Sequence, residues 1–137
     1  MATPDTLESP HKGRRGLRRL LNAFFYSLSG LALAYRHESA FRQEVALAAV
    51  LLPLACLLPV TAVERVLLIA TVLLTLIVEL LNSGVEAAID RIGLDTHRLS
   101  KRAKDLGSAA VLVSLLLLVV TWLLLAGPAA LQWSGWH

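Results

Sequence analysis

The sequence predicts an all-α membrane protein: an N-terminal amphipathic helix on the membrane surface, followed by three transmembrane helices. Three observations predict it. Hydrophobic residues make up 56% of the 137-residue chain, and charged residues only 17%, against roughly 25% in an average soluble domain. The mean hydropathy is +0.66. The apolar residues gather into long uncharged runs, and the basic residues lie almost entirely on one side of them. This composition argues against both a soluble globular domain and a disordered chain. One domain is expected at this length.

Residues 1–13, with Pro4, Pro10 and Gly13, read as a flexible tail. Residues 14–35 follow as RRGLRRLLNAFFYSLSGLALAY. Leu17, Leu20, Leu21, Phe24, Phe25 and Leu28 recur at helical spacing, opposite Arg15, Arg19, Asn22 and Tyr26. That pattern suits a helix lying in the interface plane; a helix packed on the bundle would show it too.

Residues 45–63 carry no charge and number 19, enough for one span. Pro53 is tolerable there as a kink, and Pro59 marks the end. The second run, 66–78, is apolar for 13 residues, and its helical pattern continues through Glu79 to about Ile92. Residues 106–131 form a third uncharged stretch, with Gly127-Pro128 as the expected stop. Residues 14–131 thus read as one membrane domain and 132–137 as a short C-terminal tail. The first apolar run starts too late for a signal peptide.

Twelve Lys and Arg residues precede the first span or lie between the second and third, and one, Arg65, lies elsewhere. By the positive-inside rule, the N-terminus and the second link are cytoplasmic and the C-terminus is outside. Trp133 and Trp136 suit the outer interface. The net charge of +3 fits an anionic membrane surface better than nucleic acid in so apolar a chain. The single cysteine, Cys56, reads as a small buried or lipid-facing residue. His11, His37, His97 and His137 show no metal-ligand spacing.

The second span ends in ELLNSGVEAAID, residues 79–90. Glu79, Ser83, Glu86 and Asp90 share one helical face, with Asn82 beside it. Carboxylates at the end of a span are expensive and point to function, with interhelical hydrogen bonding or pairing to arginine as the structural alternative. Seven residues separate Glu79 from Glu86, about 10 Å along a helix axis, so one small cation does not bridge them. Glu86 lies near water, where a cation and a nucleotide can reach it. Glu79 lies deeper, at a level suited to taking a proton from a membrane-borne group.

The same surface is flanked by HESAFRQE (37–44) and by DRIGLDTHRLSKRAKDLGS (90–108). The second segment is dense in donors able to hold a polyphosphate, although basic links are also required by topology. No P-loop and no G-x-G-x-x-G occurs.

The stretch ELLNSGVEAAID strongly resembles the signature of the prokaryotic diacylglycerol kinase family, small three-span enzymes unrelated to soluble kinases. The resemblance runs from Leu17 to Trp122 and includes ESAFRQE (38–44), DRIG (90–93) and SKRAKDLGSAAV (100–111). It implies a homotrimeric bundle with sites built between subunits. It also implies transfer of the ATP γ-phosphoryl group to diacylglycerol, with Mg2+ accompanying the nucleotide, in the cytoplasmic (inner) membrane. By this resemblance Glu79 is the general base, and Glu38 and Glu86 are the Mg2+ ligands. Arg19, Tyr26, Glu38, Glu86, Asp95, Thr96, His97, Lys104 and Asp105 contact ATP. Ala40, Phe41, Arg42, Gln43, Glu44, Glu79, Asn82 and Ser108 border the lipid acceptor or the reacting centre. Phosphoryl transfer is mainly positioning and charge stabilisation, so it needs no P-loop.

Three positions depart from the family pattern. Gly84 stands where Ser or Ala is expected, Ser29 where a basic residue is, and Thr96 where an aromatic is. Undecaprenol is the alternative acceptor within the same fold. A proton-coupled transporter would use Glu79 but leave Glu38, Glu86 and the basic link unexplained. A membrane-bending scaffold would make Glu79 dispensable.

Overall fold

A computed structural model describes residues 12–135 as four α-helices: α1 (Lys12–His37), α2 (Ser39–Leu57), α3 (Ala62–Ile92) and α4 (Arg98–Ser134). The last three are long and apolar enough to cross a membrane. The all-α, three-span expectation is therefore met. Of the expected tail, residues 1–11 lie outside the described residues, as do Trp136 and His137, while Lys12 and Gly13 already belong to α1.

α3 is the central element, packing most extensively against α4 and next against α2; α1 touches chiefly α2. Side-chain periodicity explains this. Leu68, Val72, Thr75 and Glu79 are buried along one stripe of α3, and Phe41, Glu44, Ala48 and Ala55 along one stripe of α2. Ser114, Leu118 and Ala129 do the same on α4. These spacings of three, four, seven and eleven keep a single helical face inward.

One apolar cluster joins Ala48, Val72 and Leu118; a second, nearer the α2–α3 turn, joins Ala55, Leu58, Leu68 and Ala129. Trp122 packs against both and donates its indole N–H to Leu68 O at 3.2 Å. The buried hydroxyls of Thr71 and Thr75 donate to carbonyls of their own helix, Leu68 O at 3.0 Å and Val72 O at 2.7 Å. Many large apolar side chains face away from the bundle, among them Leu112, Val113, Leu116 and Leu123. In hydrocarbon such a surface carries no hydrophobic penalty.

Helix ends are held by specific contacts. Thr61 and Glu64 form a capping box at the start of α3: Thr61 Oγ1 accepts from Glu64 N at 3.3 Å, and Glu64 Oε2 accepts from Thr61 N at 2.8 Å. Arg65 donates back to Cys56 O, Leu58 O and Val60 O at 2.6–3.3 Å, satisfying carbonyls that the end of α2 leaves open. Pro59 lies two residues past Leu57, the last residue of α2, so the helix ends near it as expected, while Pro53 lies inside the helix.

Gly127-Pro128 is a correction. α4 runs through both residues to Ser134 instead of stopping, and so takes in part of the expected 132–137 tail. In a lipid environment a break there would leave backbone groups with no water to satisfy them, so continuing the helix is the cheaper outcome even at a proline. Cys56 is exposed on α2, which favours the lipid-facing form of its reading.

Length places the polar end of α3. Helices rise about 1.5 Å per residue, against a hydrocarbon core of about 30 Å. Counted from Ala62, Glu79 falls roughly 26 Å along and Glu86 roughly 36 Å along. Glu86 thus lies about 10 Å farther than Glu79 from the apolar run of α3.

Candidate active site

The buried stripe of α3 does not end with its apolar residues. It continues into Glu79, only 4% exposed, and then into the half-buried Asn82, Ser83 and Glu86. Glu44 of α2, also buried at 9% exposure, lies within electrostatic reach of Glu79. Glu38 and Glu86 lie within the same reach of Glu79. Four carboxylates, from α2, α3 and the α1–α2 junction, therefore lie along one side of the bundle, with Glu79 interacting by charge with the other three. Asn82 donates to Glu86 Oε1 at 3.4 Å, one helical turn away.

Glu38 is the single residue between α1 and α2 and the N-cap of α2, yet its side chain makes no capping hydrogen bond. Its carboxylate is therefore not consumed by the helix end. Among the described residues, three buried side-chain oxygens have no hydrogen-bond partner: Glu44 Oε2, Asn82 Oδ1 and Ser83 Oγ. Buried polar atoms are normally satisfied, so these three stand out.

Three hollows among the described residues bear on the expected site residues. The largest, about 770 Å³, lies between α1 and α3. It is lined by apolar residues such as Leu31, Ala34 and Leu80, with His37, Glu38 and Ser83 as polar members. A second, about 420 Å³, is polar and lies at the α3–α4 turn. It collects Asp90, Asp95, Thr96, His97, Lys104 and Asp105, and so brings together five of the residues expected to contact nucleotide. A third, about 430 Å³, holds Arg19 and Tyr26 beside Arg18 and Asn22 on α1. These two expected nucleotide contacts line a hollow of their own and share no lining residue with the α3–α4 hollow.

Local contacts set the polar hollow. His97 caps α4, its Nδ1 accepting from Leu99 N at 3.1 Å. Lys104 Nζ pairs with Asp90 Oδ1 at 2.7 Å across the turn, and Lys101 Nζ with Asp105 Oδ2 at 2.6 Å along α4. Glu86 is close enough to Lys104 for their charges to interact, which links the hollow to the carboxylate centre.

The expected lipid-bordering residues divide. Phe41 and Glu44 are buried against α3, whereas Ala40, Gln43 and Ser108 are exposed. Arg42 donates to Tyr35 O at 3.0 Å and Arg36 O at 3.1 Å, closing the end of α1. That bracing role was not visible in the sequence. Nor was the fit of Asn82 against Gly107, where an added Cβ would collide with Asn82 Oδ1.

The chain matches the family model for prokaryotic diacylglycerol kinase over residues 25–126. The chain belongs to the prokaryotic diacylglycerol kinase family. It is 58% identical over 114 residues to the diacylglycerol kinase of Pseudomonas aeruginosa, covering 83% of this chain and 93% of that one. It is 50% identical over 110 residues to that of Escherichia coli K12, covering 80% and 90%. It is 44% identical over 115 residues to that of Helicobacter pylori 26695, covering 84% and 89%. The match to the family model takes in Glu38, Glu44, Glu79, Asn82 and Glu86, the whole carboxylate centre of this family member.

Proposed function

We infer that the chain is a multi-pass membrane kinase that transfers the γ-phosphoryl group of ATP to the free hydroxyl of diacylglycerol, yielding phosphatidate and ADP. The observation that carries this reading is Glu79. Its carboxylate is buried at the end of the apolar run of α3, beside Glu38, which also borders the large apolar cleft. A lipid lying in that cleft would bring its hydroxyl past Glu38 and Ser83, one helical turn along α3 from Glu79. Glu79 accepts the hydroxyl proton while the oxygen forms its bond to the γ-phosphorus and the bond to the ADP oxygen breaks.

Lys104 and the helix-capping turn at His97 offer donors to the phosphates. Asn82, held against Gly107 and bonded to Glu86, keeps the α3 and α4 sides of the site in register. Glu38 and Glu86 fit Mg2+. They are hard oxygen donors, and the Glu38 carboxylate is not used by its helix cap. Mg2+ is usually held by one or two carboxylates together with substrate phosphates. Bound there, it would offset phosphate charge during transfer.

The basic end, bearing α1 and the α3–α4 turn, faces the cytoplasm by the Lys and Arg asymmetry. The membrane is then the cytoplasmic membrane of a bacterium. The assembly is a homotrimer with shared sites. This is supported by the separation of the Arg19–Tyr26 hollow from the α3–α4 hollow, which a neighbouring copy can close, and by the outward apolar surface of the bundle.

The test is transfer of labelled γ-phosphate from ATP with Mg2+ in lipid micelles, with diacylglycerol and undecaprenol offered side by side. Preferential labelling of diacylglycerol is expected. Preferential labelling of undecaprenol would move the acceptor and keep the site chemistry. Labelling of neither by folded protein would overturn the reading.

A further inference from the structure

The apolar cleft between α1 and α3 has a glycine in each wall, Gly30 on α1 and Gly84 on α3. A Cβ built at either position meets nothing within 4 Å. Gly107, on the α3–α4 contact, is the opposite case, because its missing Cβ is what lets Asn82 approach. Packing within the chain therefore explains Gly107 and does not explain Gly84. Glycine is also the poorest helix former after proline, so Gly84 weakens α3 one turn beyond Leu80 without any return inside the fold.

What the missing side chains do create is room. The cleft is within the roughly 300–1,000 Å³ of ordinary ligand pockets, and Gly84 lies next to Ser83, whose Oγ is buried and unpartnered. We propose that Gly84, with Gly30 in the other wall, is a specificity-determining residue: it sets the cleft width that admits an acceptor carrying two acyl chains beside its hydroxyl. The proposal rests on the reading that the acceptor's hydrocarbon lies in this cleft.

The experiment compares dioleoylglycerol with monooleoylglycerol as acceptors for the full-length protein in micelles with MgATP. The variants are Gly84→Ala, Gly84→Leu and, filling the cleft from the α1 side, Leu31→Trp. Ala and Leu are better helix formers than Gly, and a Cβ at position 84 meets nothing within 4 Å, so both variants are expected to keep the helix. Pocket contacts of one methylene discriminate by about tenfold or more. Gly84→Leu is therefore expected to raise the KM for dioleoylglycerol relative to monooleoylglycerol by about tenfold, with Gly84→Ala in between. The KM for ATP should move less than the acceptor ratio in both, because most of the expected nucleotide contacts line the separate α3–α4 hollow.

An unchanged acceptor ratio in Gly84→Leu, alongside a raised acceptor KM in Leu31→Trp, would overturn the role of Gly84 and leave the cleft as the acceptor site. No acceptor effect in either variant would overturn the placement of the acceptor itself.

Discussion

Asn82 and Gly107 fit together as a side chain and the gap made for it. A Cβ on Gly107 would lie 3.2 Å from Asn82 Cγ and would collide with its Oδ1. The contact joins α3 to α4 at the level where Asn82 also reaches Glu86. On one side of it the two helices meet through apolar side chains; on the other Asp90 and Lys104 pair at 2.7 Å. The position of Glu86 relative to the polar hollow is thus tied to the absence of one methyl group.

Gly107→Val should therefore both destabilise and inactivate. Overpacking a tight contact costs about 1–3 kcal/mol, and a shift of about 1 Å at a phosphoryl-transfer site costs on the order of 100-fold in rate. The double variant Gly107→Ala with Asn82→Ala should recover stability, read from thermal unfolding in detergent, without recovering turnover. Full activity in Gly107→Val would show that this contact does not position the site.

Glu79→Gln should abolish phosphoryl transfer while ATP still binds with Mg2+. The amide keeps the shape of the carboxylate but cannot take the hydroxyl proton, and general-base catalysis contributes about 10²–10⁴-fold. Single-turnover phosphorylation together with equilibrium nucleotide binding separates the two effects. Wild-type turnover by Glu79→Gln would remove it as the base.

Glu38→Gln and Glu86→Gln should instead raise the Mg2+ concentration needed for half-maximal rate and lower the rate at saturating ATP. Each removes one anionic oxygen donor from a set of two. Mg2+ titrations of initial rate check this. An unaltered requirement in both variants would place the cation on other groups.

The sequence showed most of the fold and little of its fastening. Three spans and a basic end follow from apolar runs and charge placement, because both are long-range averages. The ELLNSGVEAAID face was legible because carboxylates are costly at a span's end. The partners it finds were not. Glu44 reaches Glu79 from another helix, and the gap at Gly107 serves a side chain 25 residues away. Neither relationship has a local pattern. Gly127-Pro128 misled for a different reason: it stops helices where water can take over the freed backbone groups, and lipid cannot. The Thr61–Glu64 capping box did have a local signal, the T-x-x-E spacing ahead of an apolar run.

Arg65 fastens the end of the bundle away from the site. Its guanidinium satisfies carbonyls of Cys56, Leu58 and Val60. Arg65→Ala should lower stability by about 1.5–3 kcal/mol, the usual value of hydrogen bonds from a charged donor. The KM for ATP should stay as in the wild type, because the hollow proposed for nucleotide is at the other end. Unfolding curves and kinetics on one preparation test both halves.

Lys104 offers the last test, because it is already occupied. Its ammonium is 2.7 Å from Asp90, and both side chains are about half exposed, so this pair adds little to stability. A triphosphate arriving in the hollow competes with Asp90 for the same donor, and phosphate carries more charge than a carboxylate. Lys104→Met should thus raise the KM for ATP by roughly 10–100-fold, the loss of one charge-assisted contact, with thermal stability nearly unchanged. Asp90→Asn removes the competitor but keeps Lys104, and should leave the KM for ATP equal or lower. If Asp90→Asn instead raised it as far as Lys104→Met does, the ion pair itself would be the element that orders the hollow, and Lys104 would act through Asp90 and not on the phosphates.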